Sequence, residues 1–124
     1  MIEQPDYRHA YHQTLTTKIH CARKPDRTET TFPQALEIIR YVQHVTEGIP
    51  HITYLVGWQY LGHDSKYPAW FEVNDRLKGP DDVSAHDGLL RLMRAGREHN
   101  TTVSLHINMC DAYENSPLWD EYVG

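Results

Sequence analysis

The chain has 124 residues and a mass of 14.5 kDa, with 40% hydrophobic and 23% charged residues, a composition that fits one globular domain and excludes an intrinsically disordered chain. Seventeen acidic residues against twelve basic ones give a formal net charge of -5, and without a block of Lys and Arg neither nucleic acid nor an anionic membrane surface is expected as a partner. No apolar run approaches the roughly 18 residues of a membrane span, so no membrane insertion is expected, and the first residues lack the apolar segment of a secretory signal.

The amino-terminal part of the chain gives the weakest signal. Residues 1–30 show no sustained periodicity, so we expect an irregular, peripheral lead-in, although residues 14–22 could form a short strand. The first firm element is a helix over residues 31 to about 46, where Thr31 and Gln34 can form a capping box around a proline in the first turn. Its apolar residues recur at helical spacing and predict one buried stripe: Leu36, Ile38, Ile39, Val42 and Val45.

The rest of the chain follows a strand, loop, helix, strand order. Residues 51–58 are apolar on both parities, which is typical of a parallel strand covered on both faces. Residues 59–82 contain several Gly and Pro residues and predict a long loop, which in compact domains is usually functional. Residues 83–99 form an amphipathic helical pattern, and residues 101–108 alternate as a strand. This order predicts a right-handed crossover between parallel strands.

Two strands and two helices leave sheet edges unpaired and apolar stripes uncovered. The fold class that we predict is therefore α/β, as a partial (β/α)8 TIM-type barrel, a fold that takes about 250 residues when complete. Residues 31–124 would be the amino-terminal fragment of that barrel. The chain also stops at Gly124 without a terminal element, as we expect of a fragment.

The residues that follow the two predicted strands are the candidates for a binding site, because parallel α/β folds place their sites at the carboxyl ends of strands. Aromatic rings there could pack against the apolar face of a sugar, and polar side chains could bind its hydroxyl groups. The predicted substrate-binding residues are Trp58, Gln59, Asp64, Tyr67 and Trp70 after the first strand, and His106 and Asn108 after the second.

Each candidate also has a purely structural interpretation. Trp58 and Trp70 could be hydrophobic packing beneath the loop, and Asp64 could be a turn residue. His106 could be an interior histidine, although its parity places it away from the apolar side of its strand. The clustering of these residues, more than any one of them, favours a binding site.

Metal and catalytic motifs are weak in this sequence. No His-x-His, HExxH or two-cysteine spacing indicates a metal site, so no metal and no cofactor is expected, and Cys21 and Cys110 are interpreted as unpaired thiols. Hydrolysis of a glycoside normally needs two carboxyl groups on opposite sides of the scissile bond. Asp111 and Glu114 are only three residues apart and would lie on the same side, so they are poor candidates for the pair.

Several segments of the chain together form a recognisable pattern: Tyr54-Leu55-Val56-Gly57, Gly62-His63-Asp64-Ser65 with Pro68, Arg76-Leu77, Asp81-Asp82 and Leu105-His106-Ile107-Asn108. Over roughly residues 31–124 this pattern resembles the opening of the catalytic barrel in the endo-α-N-acetylgalactosaminidase family of glycoside hydrolases. The resemblance implies a retaining enzyme that removes Gal-β-1,3-GalNAc from Ser or Thr of mucin-type glycoproteins, and a large bacterial protein that is secreted or attached to the cell surface.

The resemblance also implies roles for particular residues. Asp64 and His106 would contact the disaccharide, with Asn108 as a further contact. A family histidine aligns with Tyr67 here, so a relative that acts on a different α-linked glycan stays open. The family's catalytic carboxyl groups come from later barrel strands, so no catalytic residue is assigned and the isolated chain should be inactive.

A second hypothesis, from another class, is a stand-alone carbohydrate-binding or interaction module without catalysis. Under the first hypothesis the partners are an O-linked glycan or glycoprotein and the remainder of the barrel. Under the second, the same aromatic and polar residues would bind a glycan in a domain that folds by itself.

Overall fold

The computed structural model describes residues 9–24 and 27–124. In chain order the elements are a 3-10 turn Tyr11–Gln13, β1 Leu15–His20, β2 Ala22–Lys24, β3 Arg27–Thr28, α1 Phe32–Val45, β4 His51–Val56, a 3-10 turn Asp75–Leu77, α2 Ala85–Glu98, β5 Thr101–Leu105 and α3 Trp119–Val123. A parallel sheet of three strands, in the order β1, β4, β5, forms the centre, and β2 and β3 form a separate antiparallel pair.

β1 is the main difference from the sequence prediction. Residues 1–30 were expected to be an irregular lead-in, but β1 lies in the main sheet and pairs with β4 along its whole length, from Leu15 beside His51 to His20 beside Val56. The alternative interpretation of this stretch as a short strand is therefore the correct one. Residues 1–8 of the expected lead-in, and residues 25 and 26, lie outside the described residues.

The two long helices form where the sequence predicts them. The capping box of α1 is present, since the backbone N–H of Thr31 donates to the Gln34 side chain at 2.9 Å, and the Ser84 hydroxyl accepts from the backbone N–H of Asp87 at the start of α2. Both helices pack on one face of the sheet, where the core contains Ile19, Cys21, Phe32, Ala35, Ile39, Leu55, Trp58, Leu77, Leu89, Leu92 and Val103.

The buried stripe of α1 is rotated relative to the expected one. Phe32, Ala35 and Ile39 are its buried residues, whereas Ile38 and Val45 are exposed. The predicted stripe left out Phe32 and Ala35 and included Ile38 and Val45, because several apolar residues of the helix fit helical spacing and the pattern alone does not show which of them face the sheet and α2.

The second face of the sheet is not covered by the helices. The sequence predicted that β4 is covered on both faces, but Ile52 and Tyr54 remain partly exposed while the alternate positions are buried. In register with Tyr54 lie Lys18 of β1 and Ser104 of β5. This alternation explains the weak signal of β1, because polar side chains occupy its uncovered face.

The end of the sheet at which the strands begin holds a buried hydrogen-bonded group. His51 is 2% exposed, and its imidazole lies 2.7 Å from the Thr17 hydroxyl and 3.1 Å from the Thr101 hydroxyl. Burial lowers the pKa of His51. The ring is therefore held between neighbouring strands in its neutral form.

The fold that results is a mixed α/β arrangement with parallel strands and helices on one side, which is compatible with part of a barrel. Among the described residues β1 and β5 each have one neighbouring strand in the sheet, so each has an unpaired edge. Within the same residues the helices are too short or too polar to cross a membrane.

Candidate functional site

All three strands of the main sheet end at the same side, which we call the carboxyl edge. His20 is the last residue of β1, the long loop begins at Gly57 after β4, and His106 follows β5 directly. The backbone N–H of His106 donates to the carbonyl of Leu55 at 2.9 Å, so it continues the pairing of β5 with β4. The parallel order predicted from the sequence is thus confirmed, and it brings the predicted site residues to one edge.

The first turn of the long loop is closed over the backbone that follows β1. Gly57 and Gly62 have φ angles of 76° and 125°, and a Cβ built on them would lie 1.9 Å and 2.9 Å from the carbonyl oxygen of Ala22. That oxygen accepts a hydrogen bond from the backbone N–H of His63 at 2.8 Å. Two glycines are therefore needed for the close approach that fixes the backbone carrying His63 and Asp64.

His63 connects the two residues that the sequence singled out. Its ring lies edge-on to the His106 ring, with 5.6 Å between centroids, and its Nδ1 atom lies 3.4 Å from a carboxylate oxygen of Asp64. Tyr54 approaches His106 from the uncovered face of the sheet, at 6.3 Å between centroids. Asp64 and His106 are therefore neighbours across one intervening imidazole.

Asp64 is presented to solvent by an unusual backbone conformation. Its φ angle is 56° and that of Lys66 is 58°, and its side chain is 44% exposed. The backbone N–H of Lys66 donates to the side-chain oxygen of Asn115 at 3.1 Å, which fixes this turn from the loop after β5. A turn conformation and an accessible carboxylate thus occur together at this residue.

Trp58, Gln59 and Tyr67 lie beneath the surface. They are 5%, 0% and 0% exposed, and the indole N–H of Trp58 donates to the backbone carbonyl of His106 at 2.8 Å. Trp70, which is partly buried, lies edge-on to Tyr67 at 6.3 Å between centroids. In this conformation the buried side chains support the two loops from below, as the packing interpretation of Trp58 expects.

The loop after β5 is tied to the loop after β4. The side-chain amide of Asn108 donates to the Asp111 carboxylate, and its oxygen accepts from the backbone N–H of Cys110 at 3.0 Å. The backbone N–H of Tyr113 donates to the carbonyl of Tyr67 at 3.1 Å, and the two rings lie 5.8 Å apart. Asn108 therefore holds its own loop in shape through both ends of its side chain.

The phenols of these loops stay protonated at neutral pH. Burial raises the pKa of Tyr67, the neighbouring Gln59 side chain opposes this shift, and the negative charges of Asp64 and Asp111 raise the pKa further. Desolvation and the same two carboxylates raise the pKa of Tyr113. Asp64 and Asp111 thus lie near the same pair of tyrosines, and both phenols can donate a hydrogen bond.

The structure brings together residues that sequence reasoning did not select. The carboxyl edge contains His20, His63 and Tyr113 in addition to Asp64 and His106. A histidine occurs in or after each strand of the sheet, and this repetition is the signal that could have identified His20 and His63. In residues 9–24 and 27–124 no three His, Cys, Asp or Glu side chains are arranged to hold a metal ion. The chemistry available at this edge is hydrogen bonding by imidazole, carboxylate and phenol groups.

Comparison with known proteins agrees with this architecture. The sequence model of a family described as endo-alpha-N-acetylgalactosaminidase matches residues 2–123. Alpha-N-acetylgalactosaminidase NagBb from Bifidobacterium bifidum is similar in structure: its ligand-free form has a TM-score of 0.63 at 18% sequence identity, and its GalNAc complex has 0.64 at 19%. A search of curated proteins gives no match. The chain is covered over 85% of its length by these structures but spans only 18% of theirs.

Proposed function

Because the chain belongs to the endo-alpha-N-acetylgalactosaminidase family of glycoside hydrolases, we propose that it forms the first strands of a (β/α)8 barrel and supplies part of the sugar-binding edge of that barrel. The substrate would be an O-linked glycan of the Gal-β-1,3-GalNAc type on a glycoprotein. The observation that carries the proposal is the contact of His63 with both His106 and Asp64 at the ends of neighbouring parallel strands.

The geometry of the sheet supports the barrel part of the proposal. The two long helices, α1 and α2, lie on one face, and the other face carries polar residues such as Lys18 and Ser104 in one register row. In a closed barrel this face becomes the interior, which leads to the site at the carboxyl edge. Residues 31–124, together with β1, would then form the opening units of the barrel.

The polar groups at the edge suit a neutral, hydroxyl-rich ligand. Asp64 is an exposed carboxylate that can accept two hydroxyl hydrogen bonds, and His106 and His63 can each donate and accept. Asn108 is engaged on both ends of its amide, so its proposed contact with the sugar would require exchange of one of those bonds. Trp70 is the most accessible of the three predicted aromatic rings and would pack against the sugar.

We propose that the carboxylates at this edge do not form the opposed pair that hydrolysis needs. Asp111 is hydrogen-bonded to Asn108 and lies in the same loop as Glu114, the loop after β5. Asp64 lies in the loop after β4. We propose that the nucleophile and the acid/base come from later strands. The chain alone would then bind a sugar without cleaving it.

The test uses NMR titration to measure the binding of N-acetylgalactosamine, and of an aryl α-glycoside of Gal-β-1,3-GalNAc, to the chain. Asp64→Asn and His106→Ala should each weaken binding at least fivefold, which is about 1 kcal/mol for a lost hydrogen bond. Glu98 is the last residue of α2 and lies where β5 begins, far from the carboxyl edge. Glu98→Gln therefore removes a charge remote from the site and should leave binding unchanged. Unchanged binding in both edge variants would contradict the site, and release of the aryl group by the chain would contradict the absence of a catalytic pair.

A stand-alone binding module is the second candidate, and one observation favours it. The helices and the sheet already enclose a core in which Ile39, Leu55 and Leu77 are fully buried. A module would be supported if the isolated chain is a monomer, unfolds cooperatively and binds the sugar as tightly alone as it does with the rest of a barrel present. Self-association or loss of fixed packing in the isolated chain would favour a barrel fragment.

A further inference from the structure

His20 is a polar residue at the carboxyl edge with no part in the glycan contacts proposed above. It is the last residue of β1 and pairs in register with Val56. Alternation along the strand places Ile19 in the core and His20 on the face that the helices leave uncovered. The position corresponds to that of His106 two strands away, since His106 lies on the same face of the sheet.

The Nδ1 atom of His20 is buried and makes no hydrogen bond within the described part of the chain. A buried polar atom without a partner is destabilising, and proteins rarely retain one unless a ligand or water completes it. The side chains around His20 are mostly basic and include few hydrogen-bond acceptors. Lys18, Arg23 and His63 all act on His20 electrostatically, and Glu29 is the one nearby carboxylate in that set.

Three imidazoles lie across the carboxyl edge in one row, because His20 pairs in register with Val56 and His106 follows Leu105 on the other side of β4. His63 contacts His106 and lies beside the Asp64 carboxylate, and it is near enough to His20 to act on it electrostatically. One histidine thus comes from the end of β1, one from the loop after β4 and one from the end of β5. The row crosses the whole width of the three-stranded sheet, which is roughly 10 Å for two strand spacings.

The charge state of His20 fits a neutral ligand. Burial lowers the pKa of His20, Lys18, Arg23 and His63 lower it further, and Glu29 opposes them. A neutral imidazole has one N–H donor and one nitrogen acceptor, which matches a hydroxyl or an amide and offers no charge to an anion.

We propose that His20 is a further substrate-binding residue, which extends the sugar site from β4 and β5 onto β1. The proposal rests on the proposed function, because it takes Asp64 and His106 as contacts to the same glycan. Since the row is wider than one pyranose ring, His20 contacts a different ring of the disaccharide from the one held by Asp64 and His106. The amino-terminal strand thereby becomes part of the specificity of the site.

The experiment compares binding of two probes, N-acetylgalactosamine and an aryl α-glycoside of Gal-β-1,3-GalNAc, to the full chain and its variants. His20→Ala should weaken the disaccharide at least fivefold and the monosaccharide less than twofold, whereas Asp64→Asn weakens both. His20→Asn retains a polar atom near the position of Nδ1 and should recover part of the loss. His86→Ala, on the exposed face of α2, is the matched control and should change neither.

A direct readout is the imidazole nitrogen spectrum of the unmodified chain, which does not depend on any variant folding. The Nδ1 signal of His20 should shift on addition of the disaccharide and that of His86 should not. If the disaccharide binds, Asp64→Asn weakens it, and both the His20 signal and the His20→Ala affinity are unchanged, the inference about His20 is overturned and the proposed site survives. If neither probe binds or Asp64→Asn has no effect, the proposed function itself fails and this inference fails with it.

Discussion

Replacing Gly57 with alanine should disrupt the contact that fixes the carboxyl edge. The added Cβ would lie 1.9 Å from the carbonyl oxygen of Ala22, far inside the separation that a carbon and an oxygen tolerate. The backbone of Ala22 would have to move by about 1 Å or more, which breaks its hydrogen bond from the N–H of His63 and strains the neighbouring pairing of Cys21 with Val56. The residues that form these two hydrogen bonds are buried or partly buried, so water does not readily replace either bond.

The expected magnitude comes from two contributions. A left-handed φ costs an alanine about 1 kcal/mol, and the displaced hydrogen bonds cost about 1 kcal/mol each, so Gly57→Ala should lower the free energy of unfolding by about 3 kcal/mol. Gly48→Ala is the matched control. Its φ is 88°, but its Cβ would meet nothing nearer than a Gln43 side-chain atom at 4.0 Å, so it should cost about 1 kcal/mol.

Urea unfolding, followed by tryptophan fluorescence, measures both variants against the unmodified chain. The difference between them isolates the contact with Ala22, because the backbone strain is common to both. Equal destabilisation of Gly57→Ala and Gly48→Ala would refute the argument that a close approach at the loop, rather than glycine's conformational freedom, holds this edge together.

Three further outcomes follow from buried groups. Burial raises the pKa of Cys21 to about 12, so an aromatic disulfide reagent at pH 8 should titrate the exposed Cys110 alone in the native chain and both thiols in denaturant; rapid reaction of two thiols in the native chain would contradict the burial. Burial lowers the pKa of His51 below its ordinary 6.5, so the stability that the neutral ring contributes above that pH should be lost as the pH falls through the lowered value. His51→Gln should therefore flatten the decline in the free energy of unfolding that urea titrations show between pH 7 and pH 5. An unchanged slope would exclude His51 as the cause. Trp58→Phe removes an indole hydrogen bond at 2.8 Å and should cost about 1 kcal/mol or more, while Trp119→Phe, in the short α3, should cost less; equal costs would show that the bond contributes little.

The sequence predicted the two long helices and the parallel pairing of β4 with β5 because those features depend on local patterns. A capping box and an apolar stripe specify α1, and strand, loop, helix, strand connectivity specifies that β4 and β5 run parallel. β1 gave a weak signal because its uncovered face carries Thr16, Lys18 and His20 and its other face includes Thr17, so that Leu15 and Ile19 are the apolar residues of a short segment.

The candidate site was predictable only as far as topology determines it. That Asp64 and His106 come to the same edge follows from parallel strands alone. The burial of Tyr67 and the position of His63 between the two residues do not follow, because both depend on the conformation of a long loop that contains left-handed residues at Asp64 and Lys66. Such conformations are selected by tertiary contacts, such as the one from Asn115, that no local pattern encodes.

Among the described residues the outer edges of β1 and β5 pair with no further strand, and this has a practical consequence for handling the chain. Each edge offers a ladder of free N–H and C=O groups that another molecule of the same chain can extend, so concentrated samples are prone to grow into open-ended stacks and eventually to precipitate. Solubility should therefore depend on concentration more steeply than the acidic surface suggests, and charged substitutions at exposed positions such as Thr16 offer a means of preventing such stacking.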